Sequence, residues 1–370
     1  FVEEVTPSGI PVAINRPGVE APPAPVVARV ALELGALDGE QPDVFGDVGA
    51  VDLSGDEIFV LDAMAREIRV FGLDGRHLRS FGRAGDGPGE FQYASSIAAN
   101  DDGSVWVFDP PRLTLSRFGP DGEYESSIAG QPGSIPLPPP SAIAPDGALL
   151  GFYFSNVGRD YSSPMHAGAL DLYQIIRVEP ATGAIDSLPS LTMPVLRVGG
   201  VRVPQAGVIQ LSIEPNGAVW FSHPSEYRLY HRSAAGDTLL IIELEGQVPV
   251  PLSSTERDSI AAGLRATATR FGRDGPIPEA DDIPQARQLV ARVLGVEGEL
   301  LFVVPRIAGV PEGSVVDVFE AQTGRYRGRV ELPVSLGRRD PVRLRDGGLI
   351  AAVRGELDVP RVVRIVLDGM

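Results

Sequence analysis

Two kinds of tight turn alternate along this chain six times over, and that alternation restricts the fold more than any other feature. The first kind occurs at Ser54-Gly55-Asp56, Asp101-Asp102-Gly103, Asp146-Gly147, Asn216-Gly217, Glu297-Gly298 and Asp346-Gly347. Gly, Asn and Asp suit these positions because a short hairpin turn demands positive φ. Each turn leads into an apolar run, such as Glu57-Ile58-Phe59-Val60-Leu61, Ser104-Val105-Trp106-Val107-Phe108 or Glu299-Leu300-Leu301-Phe302-Val303-Val304. The second kind follows at Asp74-Gly75, Asp121-Gly122, Thr182-Gly183, Ala235-Gly236-Asp237, Thr323-Gly324 and Asp368-Gly369.

Two hairpin turns per unit imply four antiparallel strands, named a to d from the axis outward, and such sheets set radially are the blades of a β-propeller. The glycines at 55, 103, 147, 217, 298 and 347 lie 48, 44, 70, 81 and 49 residues apart. The short intervals match a blade of about 40–50 residues, so the two long ones are blades with insertions. The last unit ends at Leu367-Asp368-Gly369-Met370 without a strand d, whereas Val27-Ala28-Arg29-Val30-Ala31-Leu32-Glu33-Leu34 alternates like a strand and precedes the first unit unpaired. That segment is expected to complete the sixth blade, closing the ring and removing an aggregation-prone edge. The expected fold is thus all-β: a six-bladed β-propeller of four-stranded antiparallel blades, closed by an N-terminal strand in the last blade. Residues 1–26 form a hairpin and a proline-rich arm; residues 27–370 form the propeller, with insertions at about 154–171 and 246–285.

Residues 46–130 resemble the NHL-repeat propellers. The resemblance is carried by Ile58-Phe59-Val60-Leu61-Asp62, Arg66, Ile68, Phe71, Leu73-Asp74-Gly75, Leu78, Phe81-Gly82 and the link Gly85-Asp86-Gly87-Pro88-Gly89-Glu90-Phe91. Blade two repeats it with Val107-Phe108-Asp109, Leu115 and Phe118. Ala65 stands where many NHL repeats place asparagine, and blades three to six keep only the strand and turn pattern.

Composition narrows the function. The 32 basic residues are all arginine and face 49 acidic ones, for a formal charge of −17. This argues against nucleic acid as a partner, and lysine Schiff-base or P-loop chemistry is excluded. Without cysteine there is no disulfide, thiolate nucleophile or zinc-cysteine site. No apolar run reaches the roughly 18 residues of a membrane span, and the chain begins at Phe1. It is expected to be extracytoplasmic and periplasmic, its signal segment lying outside the given sequence.

In the expected topology the a–b and c–d turns share one face and are short. The long excursions at residues 154–171, 192–207, 246–284, 305–313 and 355–360 all fall on the other, the elaborated face. Loops displayed by a rigid scaffold are where binding residues concentrate. Arg159, Asp160, Tyr161 and His166 in blade three, with Tyr227 in blade four and Arg306 in blade five, are the candidate partner-binding residues, since Tyr and Arg are favoured interface anchors. Within the largest insertion, Ser253-Ser254-Thr255-Glu256 reads as a capping box, and Ile260, Leu264, Ala268 and Phe271 as a helical stripe that lids the propeller. Glu279, Asp281 and Asp282 could hold Ca²⁺, although three carboxylates in a loop are more often solvated.

Metal-dependent lactonases and lyases on six-bladed propellers set the enzymatic alternative, with ligands drawn from inner strands. Only four Asn and four His are available, at 15, 100, 156 and 216 and at 77, 166, 223 and 231, and no serine elbow or HExxH helix occurs. Asp62 and Asp109 recur after strand b, a pattern that suits a structural hydrogen bond to the following loop. The chain is thus expected to be a non-catalytic protein-binding scaffold without a cofactor, an accessory subunit of an extracytoplasmic or membrane-associated complex. Self-association through the N-terminal arm is a further expectation.

Overall fold

A computed structural model describes residues 1–16, 26–38, 41–130, 135–157, 170–194, 197–198, 201–203, 210–270 and 279–369. Six antiparallel sheets follow one another in chain order. Blade one comprises Val48–Ser54, Glu57–Asp62, Glu67–Gly72 and His77–Phe81; blade two comprises Ser96–Ala99, Val105–Asp109, Thr114–Phe118 and Tyr124–Ala129. Blade three comprises Pro140–Ile143, Leu149–Val157, Leu170–Glu179 and Ala184–Ser187; blade four, Leu211–Ile213, Val219–Ser222, Arg228–Arg232 and Thr238–Leu244. Blade five comprises Val290–Glu297, Leu300–Pro305, Val315–Glu320 and Tyr326–Glu331; blade six, Val342–Arg345, Gly348–Arg354, Pro360–Asp368 and, fourth, Val27–Leu34. The a strands neighbour one another around a closed ring, from blade one through blade six and back to blade one. The chain is a six-bladed β-propeller.

The apolar runs after each first turn are strands buried on both faces, and their two-residue period divides them between two seams. In blade one, Ile58 and Val60 pack towards blade six, in a cluster with Ile350 and Val362, while Phe59 and Leu61 pack towards blade two, beside Ile97 and Val107. Each of the six seams holds one such cluster. Phe59, Phe302 and Phe319 are at most 1% exposed, and burying each contributes about 1.5–3 kcal/mol.

Val27–Leu34 pairs antiparallel with Pro360–Asp368, Leu34 opposite Val362, so the N-terminal strand sutures the ring. The preceding hairpin, Val2–Val5 and Pro11–Asn15, lies on the outer strand of blade four, with Val12 beside Ile241 in a parallel pair. Asn15 fixes it there: buried at 3% exposure, it donates to the carbonyl of Gly324 at 2.9 Å and accepts from the Tyr326 amide at 2.8 Å. Gly324 is required at this contact, since its φ is 72° and a Cβ there would come within 2.6 Å of Ala13.

Both turn series are short, and the insertions leave from the opposite face. Strands b and c of blade three run on past their neighbours as a projecting pair, Leu149 opposite Val178 through Val157 opposite Leu170, joined by Leu191–Pro194. The insertion after blade four carries the helix Ser254–Arg270. Its capping box is formed, Ser253 Oγ accepting from the Glu256 amide and Glu256 accepting from the Ser253 amide. Ala261, Leu264 and Ile260 pack on Leu252, Ile283 and Val203, so the crossing before blade four and the one after it share a small second core. Phe271 lies outside the described residues.

Candidate functional site

Around the axis the a strands line a cavity of about 580 Å³. Its walls include Asp52, Asn100, Asp101, Ser141, Glu214, Glu297, Arg343 and Arg345, most of them at the a–b turn ends of their strands, so it lies on the trimmed side. Arg343 crosses the axis from blade six: Nη2 donates to the carbonyls of Ile97 in blade two and Pro140 in blade three, each at 3.1 Å. Its Nε stands 3.9 Å from Asp52, whose carboxylate accepts from the Ala99 amide at 2.9 Å. Arg345 repeats the crossing one step nearer the trimmed face, bonding the Ala99 carbonyl at 3.1 Å and pairing with Asp101. The cavity is thus barred by guanidinium groups whose donors are directed at main-chain oxygens. The sequence signal was present, because Val342-Arg343-Leu344-Arg345 alternates charge with apolar residues on an inner strand, but the partners lie 246 residues away.

Of the six residues expected to bind a partner, Arg159, Asp160, Tyr161 and His166 lie outside the described residues. The other two are interior and require a correction. Tyr227 is 4% exposed, and its hydroxyl donates to Asp317 across the seam between blades four and five at 2.7 Å. Arg306 is also 4% exposed; it pairs with Glu312 at 2.9 Å and donates to the carbonyls of Gln288 and Val290 at 3.2 and 3.1 Å. Both do lie in b–c connections, as read, but each abuts a strand, Tyr227 just before Arg228–Arg232 and Arg306 just after Leu300–Pro305, and its side chain is held beneath the surface.

Asp62 and Asp109 do make structural hydrogen bonds, chiefly to a segment other than the one expected. Asp62 accepts from Met64 and Ala65 in the following loop, at 3.1 Å each, and also from Gly46 at 3.0 Å in the crossing that enters its blade. Asp109 accepts from Gln92 and Tyr93 at 2.8 and 3.0 Å, both in the entering crossing. Arg306 does the same from the equivalent end of strand b in blade five, donating to carbonyls where the aspartates accept from amides.

His231 and His223 are occupied locally. His231 stacks on Trp220, ring centroids 4.3 Å apart, and approaches Glu214 to 3.0 Å. The nearby imidazole holds Glu214 below its ordinary carboxylate range, burial opposing it and the Trp220 indole N–H reinforcing it. His223 Nδ1 accepts from the Glu226 amide at 3.1 Å, and burial lowers its pKa. The acidic group expected as a calcium candidate is divided: Glu279 and Asp282 cap the short 3₁₀ turn Ala280–Asp282, while Asp281 is solvated 3.6 Å from Arg257. Among the described residues no three of His, Asp and Glu converge to hold a metal ion.

A family model described as a 6-bladed beta-propeller, DUF5128, matches residues 37–129. No curated protein matches the sequence. Among solved structures the chain is similar to a protein from Bacteroides fragilis described as exported, at 13% identity and TM-score 0.55, over 96% of this chain and 99% of that one. It is also similar to a member of the DUF4221 family from Bacteroides vulgatus, at 9% identity and TM-score 0.56, over 93% and 99%. A virginiamycin B lyase from Staphylococcus aureus aligns at 12% identity and TM-score 0.47, over 92% and 99%. These are likenesses of fold.

Proposed function

We propose that this chain is a non-catalytic, protein-binding propeller of NHL type, exported to the periplasm and acting as an accessory subunit of an extracytoplasmic or membrane-associated complex. The observation that carries the reading is the division of labour between the axis and one face. At the axis, where a propeller's inner strands would assemble a reaction centre, Arg343 and Arg345 are spent on the carbonyls of blades two and three. On the elaborated face, the projecting strands of blade three and the helix Ser254–Arg270 form a relief of their own. Phe154, 54% exposed on the projecting pair, adds an aromatic of the kind that anchors interfaces. A rigid disc with one elaborated face suits recognition. No helix of the described residues is long and apolar enough to cross a membrane.

The test is affinity capture with the full chain from native membrane and soluble fractions, beside a variant with Arg159, Asp160, Tyr161 and His166 all replaced by Ala. The expected result is a stoichiometric partner that the variant loses. Capture of no partner, together with one tightly held divalent metal per purified chain, would overturn the reading in favour of a metal-dependent lactonase-like hydrolase or lyase.

A further inference from the structure

We propose that the hairpin strand Val2–Val5 is an open sheet edge that takes up an extended protein segment bearing arginine or lysine, which joins the sheet of blade four as an added strand. The inference concerns the outer rim and does not depend on the reading of the elaborated face.

Pro11–Asn15 lies parallel on the outer strand of blade four, and Val2–Val5 lies outermost, paired with Pro11–Asn15 alone among the described strands. The amide of Thr6 donates to the carbonyl of Ile10 at 2.9 Å, so it faces the partner strand. Amides alternate sides along an antiparallel strand, which turns those of Glu3 and Val5 outward together with their carbonyls. Pro11, opposite Val5, has no N–H to offer, as this register requires. Two donors and two acceptors thus stand in a row on the rim. The strand is held at both ends: Phe1 packs on the seam of blades four and five, with the Arg325 guanidinium 5.7 Å from its ring centroid, and Thr6 closes the turn with Ile10. An edge so fixed is pre-organised to receive a further strand.

Bulges are one way in which sheet edges are closed to other chains. The outermost strands of blades one, two, five and six each break register once with their neighbour. Val2–Val5 keeps register throughout, from Val2 opposite Ile14 to Val5 opposite Pro11. All four of its residues are exposed, Val5 at 67%, and among the described residues neither Glu3 nor Glu4 has an ion pair. Side chains alternate across a strand, so Val2 and Glu4 stand on one face of the edge and Glu3 and Val5 on the other. The complement of this edge is therefore apolar, basic, basic, apolar, which reads the same in either direction. A second copy of the strand is the wrong occupant: matching valine to valine sets glutamate against glutamate, and like charges directly opposite are destabilising. On an incoming arginine or lysine strand each glutamate meets a cation, while the main chain takes the outward groups of Glu3 and Val5.

Fluorescence anisotropy of the full chain with a labelled peptide, threonine-valine-arginine-arginine-valine-threonine, tests the edge. Val5→Pro removes an outward N–H while leaving the charge and the hairpin's own ladder bonds in place. Saturable binding by the wild type is expected, weakened by about tenfold or more in Val5→Pro at an unchanged melting temperature. The same peptide N-methylated on its central amides keeps the charge but cannot form a ladder, and it is expected to lose binding to the wild type, whatever the variant's stability. A peptide with glutamates in place of the arginines is expected not to bind. No saturable binding of the arginine peptide would overturn the proposal. So would equal binding of the N-methylated peptide, or by a folded Val5→Pro chain, which would mean general attraction to an acidic protein. Preference for the glutamate peptide, with concentration-dependent dimerisation in sedimentation velocity, would overturn it in favour of a second copy.

Discussion

The hydroxyl of Tyr227 in blade four donates to the carboxylate of Asp317 in blade five, 2.7 Å across the seam between them. Asp317 is completely buried and also accepts from Tyr326 at 2.9 Å and from Arg329 at 2.8 and 3.1 Å. Burial and the neighbouring carboxylate push both phenols above their ordinary pKa, so both remain donors across the physiological range. Asp317→Ala strands two hydroxyls and a guanidinium in the seam and is expected to cost about 3–5 kcal/mol, read by urea denaturation. Tyr227→Phe removes one bond of the set and is expected to cost about 1 kcal/mol while leaving partner capture intact.

Loop anchoring at the end of strand b is the second relationship open to test. Asp62, 1% exposed, gathers amides from the loop before and the loop after it, and Arg306 gathers carbonyls in the same place in blade five. Asp62→Ala and Arg306→Ala are each expected to lose about 1–3 kcal/mol, because the deserted main-chain groups stay partly buried. In hydrogen exchange, the faster amides should be those of Gly46, Met64 and Ala65 in the Asp62 variant. A loss confined to partner binding, with stability unchanged, would instead return Arg306 to the surface role.

The fold was legible because turn chemistry is local: Gly55, Gly103 and Gly147 mark positions of positive φ, and the apolar runs behind them need no distant partner to be recognised. Closure was legible for the same reason, a strand missing at one end and surplus at the other. The site was less so. Tyr227 and Arg306 stand beside loops in the sequence, and nothing local tells that Asp317 or the Gln288 carbonyl waits beneath them. What could have pointed inward was the lone charge in an apolar run, as at Val315-Val316-Asp317-Val318-Phe319 and Val290-Ala291-Arg292-Val293. A charge held there needs a partner, and its identity is a property of the ring.

Glu214 makes stability depend on acid. Its pKa is lowered from the ordinary 4.5, first by the neighbouring His231 imidazole. A depressed carboxylate stabilises the fold above its unfolded pKa, and that contribution is lost as pH falls through the folded value. Wild type is therefore expected to exceed Glu214→Gln by about 1 kcal/mol at neutral pH. The difference should shrink once the pH drops below 4.5, seen by denaturant titration at a series of pH values. A difference that grew in acid would assign the stabilisation to another group.

Ring closure depends on a strand contributed from the far end of the chain. Leu34 is 5% exposed within the seam between blades six and one, packed with Phe45, Ile350 and Val362. Leu34→Ala is expected to cost about 2–5 kcal/mol, as for other large-to-small changes in a tight core. Removing residues 1–34 is the more severe change. It takes away the whole strand opposite Pro360–Asp368 and also the hairpin that Asn15 fastens between blades four and five. The edge of blade six then stands open, with its amides and carbonyls unpaired, and such an edge pairs with other chains. The truncated chain is expected to elute as soluble aggregate in size-exclusion chromatography, whereas Leu34→Ala retains the elution volume of the wild type with a lower melting temperature. A truncated chain that kept both the native volume and the native melting temperature would mean that five closed seams suffice to hold the ring.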